Sequence, residues 1–201
     1  MLYIGMIICI LSSLMIYGYK WLVEKKTEDF RISVKDTIIL TSISAVLQML
    51  LVVFNYEAVF FGMYIPYLII QGYTDFKTGY VYRITSIIYI AIALINLGLT
   101  YKHISIPHIA ICLIFSSFFV ICSLFKSLGW GDTITIIAIE MILMIVLRNA
   151  FIGGFILIMC LVSFLFSAYT IITKKKSAPF LPWLTSVTML VILIYNMKGL
   201  L

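Results

Sequence analysis

Three carboxylates stand where a hydrophobic chain would be expected to exclude them. Asp75 closes one apolar stretch within "QGYTDFKTGYVYR", Asp132 opens another within "SLGWGDTIT" (127–135), and Glu140 lies inside that second stretch. Ionisable groups at or within a membrane span cost free energy, so each calls for a function or a partner. If Asp75 and Asp132 meet, they cannot both ionise readily: one holds a proton and the other carries the charge. The ionised member can take a proton from water while the neutral one donates to a carbonyl oxygen. That is peptide-bond hydrolysis of the aspartic type, which requires neither a metal nor a covalent intermediate. Gly129 and Gly131, on either side of Trp130, are expected to permit a sharp turn and the close approach of a substrate backbone. Glu140 lies about 12 Å from Asp132 along a helix, too far to join the pair. It is expected to make an interhelical hydrogen bond, as are Gln48, Asn96 and His108.

The elements that must position these groups follow from composition. The chain has 201 residues, of which 64% are hydrophobic and 11% charged. No water-soluble domain of this size hides so much apolar surface, and the apolar runs are long enough to cross a hydrocarbon layer about 30 Å thick. The expected fold is an all-α polytopic membrane bundle, a single domain over 1–201. Its eight predicted spans cover 2–19, 37–54, 58–74, 84–99, 104–125, 132–148, 150–173 and 180–197. Only "RNA" separates the sixth from the seventh. The first stretch lacks a basic region and a small-residue cleavage site, so it reads as a retained helix. Pro66 and Gly62 are expected to bend the third span. Cys9, Cys112, Cys122 and Cys160 lie in apolar runs without a C-x-x-C pair. They read as buried small hydrophobes, and no metal or cofactor is expected. His103 and His108 flank Pro107 without a third ligand.

Charge orients the bundle. Alternate connections hold Lys20, Lys25, Lys26, Arg31, Lys35, Lys77, Arg83, Lys126 and Lys174, Lys175 and Lys176, eleven in all, against Lys102, Arg148 and Lys198 on the other set. Basic residues stay on the cytoplasmic side, which predicts both termini outside and both aspartates at the cytoplasmic boundary of the cell membrane. The net charge of +6 therefore expresses topology and contact with anionic lipid, and no nucleic-acid partner is expected.

At this point the residues resemble a known family. "GWGD" (129–132) fits the G-x-G-D signature, and "TDFKTGYVY" (74–82) looks like the aspartate motif of the type IV prepilin peptidases. "KKKSAPFLPWL" (174–184) is similar to that family's P-F-x-P segment, through Pro179, Phe180 and Pro182. The resemblance covers roughly residues 37–197. It implies an aspartic membrane endopeptidase with Asp75 and Asp132 as its catalytic pair. The implied partner is a prepilin or pseudopilin precursor, with a short basic leader followed by a hydrophobic helix. Larger members carry a cytosolic insert with paired C-x-x-C motifs, associated with N-methylation. This chain lacks it and resembles the small form that accompanies tight-adherence pili. It departs from the pattern at Val81, Tyr82 and Arg83, where I-P-[DN] is usual, and at Ile134, where lysine is common.

Other readings fit less of the chain. Asp132 alone could cap its helix. The presenilin and signal-peptide-peptidase type also uses G-x-G-D, but with Y-D inside a span and a later P-A-L, where this chain has "YTD" and "APFLP". A transporter or assembly factor would place ionisable groups near the bilayer midplane in broken helices; only Glu140 lies deep.

Overall fold

The computed structural model describes residues 2–26, 31–54, 64–79, 81, 83–100, 104–174 and 179–198. Among them all regular secondary structure is helical, in seven segments rather than the eight predicted. These are α1 (Leu2–Lys26), α2 (Val34–Phe54), α3 (Ile65–Thr78), α4 (Arg83–Thr100), α5 (Ile106–Leu124), α6 (Trp130–Thr173) and α7 (Leu181–Lys198). The correction falls where "RNA" was read as a connection. The predicted spans 132–148 and 150–173 correspond to the two arms of α6, Trp130–Leu147 and Phe151–Thr173, which the 3-10 turn Arg148–Ala150 joins without a loop into one helical run of 44 residues. Arg148 takes a left-handed φ of 45°, and the first arm (Trp130–Leu147) folds back on the second (Phe151–Thr173). Leu147 occupies the space that a Cβ on Gly154 would need. The Tyr195 hydroxyl of α7 closes this end by donating to the Leu147 carbonyl at 3.2 Å.

Three segments are long and apolar enough to cross a membrane: Val34–Leu51, Ile106–Leu124 and Trp130–Thr173. The apolar stretches of α4 and α7, Thr85–Gly98 and Leu181–Tyr195, are shorter. The outer surface has the same character. Phe164, Ile171 and Ile172 on α6 are 70%, 75% and 79% exposed, a surface suited to hydrocarbon rather than water. These features mark a membrane protein.

The first arm of α6 is the hub. Its Ile136, Ile139, Ile142 and Leu143 are buried against α4, α5, α7 and the second arm. A second cluster joins α1 and α2 to α3 through Ile16, Tyr19, Leu40 and Ile70. Pro66 sits in the first turn of α3, where a missing N–H costs nothing; it starts this helix rather than bending it. Gly62 lies outside the described residues. Of the cysteines expected to be buried, Cys112 is buried, Cys122 is half-buried and Cys160 is exposed, while Cys9 lies outside the described side chains.

Candidate active site

Asp75 occupies the last turn of α3 and is 5% exposed. The helix stops just beyond it because Gly79 adopts a left-handed φ of 69° and returns its N–H to the Asp75 carbonyl at 2.7 Å, a conformation glycine takes without strain. The carboxylate faces the start of α7. Its Oδ2 accepts the Leu181 N–H at 2.9 Å, and the Phe180 N–H bears on it as well. The segment Pro179–Pro182 explains why those amides are free. The first N–H groups of a helix have no partner within it, and Pro182 in the first turn of α7 removes a donor that the helix does not use. Gly72 lets α7 approach, since a Cβ there would lie 3.5 Å from the Pro182 Cα. Thr185 fastens the pair by donating to the Leu68 carbonyl at 3.2 Å. Burial pushes the Asp75 carboxyl above its ordinary range, and the Leu181 and Phe180 amides pull it back down.

Asp132 lies in the first turn of the first arm of α6 and is half-buried. It does not cap that helix: Gly129 holds the N-cap position, with no side-chain cap hydrogen bond. One carboxyl oxygen, Oδ1, is buried without a hydrogen-bond partner, and the negative charge of Asp75 acts on this group. The two glycines of "GWGD" make space rather than a left-handed turn. Gly129 is extended (φ −69°, ψ 144°), and a Cβ there would lie 2.9 Å from Asp132 Oδ2. A Cβ on Gly131 would lie 2.7 Å from the Val81 Cβ and 3.1 Å from its carbonyl oxygen. The close approach expected of a substrate at Gly131 is made by the chain's own Val81.

Gln71, 1% exposed, ties the two helices together. Its Nε2 donates to Thr85 Oγ1 at 3.2 Å and to Ser86 Oγ at 3.3 Å, both on α4. Its Oε1 lies 3.2 Å from the Thr135 hydroxyl of α6, which also lies 2.9 Å from the Gly131 carbonyl. Gln71 is one turn before Asp75, and Thr135 is one turn after Asp132. A contact between them therefore puts both aspartates at the same end of the bundle. Gln71 falls within the stretch "QGYTDFKTGYVYR", where charge singles out Asp75 and leaves the amide inconspicuous. The signal available was a buried amide in an otherwise apolar helix, which needs partners.

The remaining candidates divide. Phe180 and Leu181 bear on the site through their backbones, while Pro179 and Pro182 shape the segment that carries those amides. Glu140, fully buried, accepts from the Ser116 hydroxyl of α5 at 2.9 Å, the interhelical bond expected of it. Asn96 donates to the Tyr64 hydroxyl, which donates to the Ile92 carbonyl at 2.8 Å and so ties the start of α3 to α4. Gln48 does not bridge helices as expected; its amide donates to Ser44 of the same helix at 3.1 Å. Nor does His108, whose Nδ1 lies 2.6 Å from Ser105 Oγ, with its ring edge-on to Phe151. Ile134, in the position where lysine was expected, is half-buried and brings no charge to the pair. Tyr82, His103, Lys175 and Lys176 lie outside the described residues. Among the described residues no three His, Cys, Asp or Glu side chains gather to hold a metal. A cavity of about 690 Å³ between α5 and the second arm of α6 is lined by apolar groups such as Phe115, Phe119 and Phe155. None of its lining residues belongs to the carboxylate site.

Comparisons with protein-family models, with curated proteins and with solved structures find no match to this chain.

Proposed function

We propose that the chain is a membrane-embedded aspartic endopeptidase that uses Asp75 and Asp132 to remove the short basic leader of prepilin-like precursors at the cytoplasmic boundary of the cell membrane. The observation that carries this reading is that two carboxyl groups from separate helices, α3 and α6, lie at one end of a hydrophobic bundle, where the Gln71–Thr135 contact joins their helices and the charge of Asp75 acts on Asp132. A pair that cannot both ionise supplies a base and an acid side by side. In a partly desolvated site each acts more strongly than it would in water. The substrate class follows from the resemblance of "GWGD", "TDFKTGYVY" and "APFLP" together with the location of the pair. A precursor whose basic leader stays in the cytoplasm while its apolar helix lies in the bilayer presents its scissile bond at the inner boundary. The orientation rests on the basic residues: Lys77 closes α3 just beyond Asp75, and Lys126 precedes Gly129.

The test is cleavage of a synthetic precursor, a basic leader followed by a glycine and an apolar helix, by the full chain in anionic vesicles. Asp75→Asn and Asp132→Asn are each expected to abolish cleavage, a loss of at least about a thousandfold for one member of a cooperating pair, while the protein stays in the membrane. Cleavage by both variants at the wild-type rate removes the dyad from consideration.

A further inference from the structure

Resting on the reading of Asp75 and Asp132 as a proteolytic pair, we propose that the start of α7 assigns their roles. In this assignment the Phe180 and Leu181 backbone amides hold Asp75 as the carboxylate that takes the proton of the attacking water, and Asp132 is the carboxyl that protonates the scissile carbonyl. Among the described residues only Asp75 receives such a donor. The Leu181 N–H reaches Asp75 Oδ2 at 2.9 Å from the first residue of a helix, and the Phe180 N–H acts on the same group. Backbone N–H groups can donate but not accept, so they favour the ionised form, and the partial positive charge of a helix N-terminus adds to that preference. Asp132 also sits in the first turn of a helix, but among the described residues no N–H reaches it: its Oδ1 is buried without a donor, its helix carries no side-chain cap bond, and its Oδ2 lies against Gly129. A carboxyl without donors beside a fixed negative charge keeps the proton the pair must share.

Among the described side chains, the charged groups on the elements packed against α3 are engaged elsewhere or exposed, and the side chain of Arg83, which opens α4, lies outside the described residues. Asp36 of α2 accepts from Ser33 and from the Tyr73 hydroxyl at 2.7 and 2.8 Å. Lys77 lies over the Tyr73 ring, 5.8 Å from its centroid. Lys20 of α1 pairs with Glu24 at 3.8 Å. The one cation of α7, Lys198, is at its far end. On α6, Glu140 bonds Ser116.

The chemistry balances. Asp75 takes a proton from water as its oxygen bonds to the carbonyl carbon, and Asp132 gives its proton to the carbonyl oxygen, yielding a geminal diol. Asp75 then passes its proton to the amide nitrogen and the C–N bond breaks. Asp132 recovers a proton from one diol hydroxyl, which leaves a carboxylic acid, an amine and the starting pair.

Proline at residue 181 would delete the donor N–H at a helix position that tolerates it, and alanine there keeps the N–H while losing the same buried side chain. The two variants are compared with wild type by the pH profile of kcat for the synthetic precursor in vesicles. Leu181→Pro is expected to move the acid limb to higher pH by about one unit, a tenfold loss of kcat on that limb, with KM unchanged. Leu181→Ala, which keeps the N–H, should hold the acid limb at the wild-type pH whatever the loss of its buried side chain does to the height of the profile. Coincident profiles for the two variants overturn the assignment. Should Leu181→Pro fail to reach the membrane, infrared difference spectra at neutral pH decide, taken in a Glu140→Gln background that removes the other buried carboxyl: the remaining protonated-carboxyl band must be missing once Asp132→Asn is added, and its retention there overturns the proposal. Failure of the underlying reading looks different, since the wild type would then leave the precursor uncut, or Asp75→Asn and Asp132→Asn would both cleave it at the wild-type rate.

Discussion

At the scale of single residues, the two glycines of "GWGD" do different things, and substitutions separate them. A Cβ at Gly129 would press only on Asp132 Oδ2, at 2.9 Å, the movable end of a side chain. A Cβ at Gly131 would press on Val81 at 2.7 and 2.9 Å and on its carbonyl at 3.1 Å, where backbone cannot yield cheaply. Gly129→Ala is therefore expected to displace the carboxylate and lower kcat while leaving thermal stability near wild type. Gly131→Ala should lose activity and about 1–3 kcal/mol of stability, and adding Val81→Gly should return part of both. Equal stability of Gly129→Ala and Gly131→Ala in detergent melts refutes this division. The aspartates were legible in the sequence because charge in an apolar chain is conspicuous. The glycines were legible only as small residues: that Val81 fills the space at Gly131 depends on how residues 79–83 return to the bundle, which no local pattern encodes.

At the scale of elements, the site depends on holding α3, α4 and α6 in register, and Gln71 does this from a single side chain through Thr85, Ser86 and Thr135. Interhelical hydrogen bonds in membranes average about 0.6 kcal/mol and reach about 1.7, so Gln71→Leu is expected to cost roughly 1–2 kcal/mol. Its effect on cleavage should be larger, tenfold or more, because a small shift of α3 along α6 separates carboxyls that must act together. Unfolding in mixed micelles and cleavage in vesicles check the two numbers, and unchanged cleavage would show that the register is held elsewhere. Helix positions were legible from apolar runs, whereas the joining of two predicted spans into α6 was not. Hydropathy dips at "RNA" whether the chain leaves the helix there or passes through a 3-10 turn, and the left-handed Arg148 belongs to a residue type that gives no warning of it. Gln71 was hidden for a related reason, since an uncharged amide adds nothing to a charge count.

At the scale of the whole molecule, contacts gather one set of connections at the aspartate end. The Lys20 ammonium, near the end of α1, donates to Thr37 at the start of α2 at 3.4 Å, and Asp36 beside it accepts from Tyr73 near the end of α3. Near the end of α6, Phe166 lies edge-on to Phe180 and Tyr169 lies tilted against Trp183 at the start of α7. Lys77, Lys126 and Lys174 follow the same ends of their helices, and Arg148 marks the opposite end at the fold of α6. In the proposed reading this basic end is the one retained in the cytoplasm and drawn to anionic lipid, so the same residues would set both membrane orientation and access to the aspartates. Cysteines introduced at Lys25 and Lys174, in a background with the native cysteines replaced by serine, are expected to react with an impermeant maleimide only after the cytoplasmic face is opened. A cysteine at Arg148 should react from outside in intact cells. Labelling of position 174 from outside would turn the aspartates away from the cytoplasm, and a precursor with a cytoplasmic leader would then be excluded as substrate even if Asp75 and Asp132 proved to be a working pair.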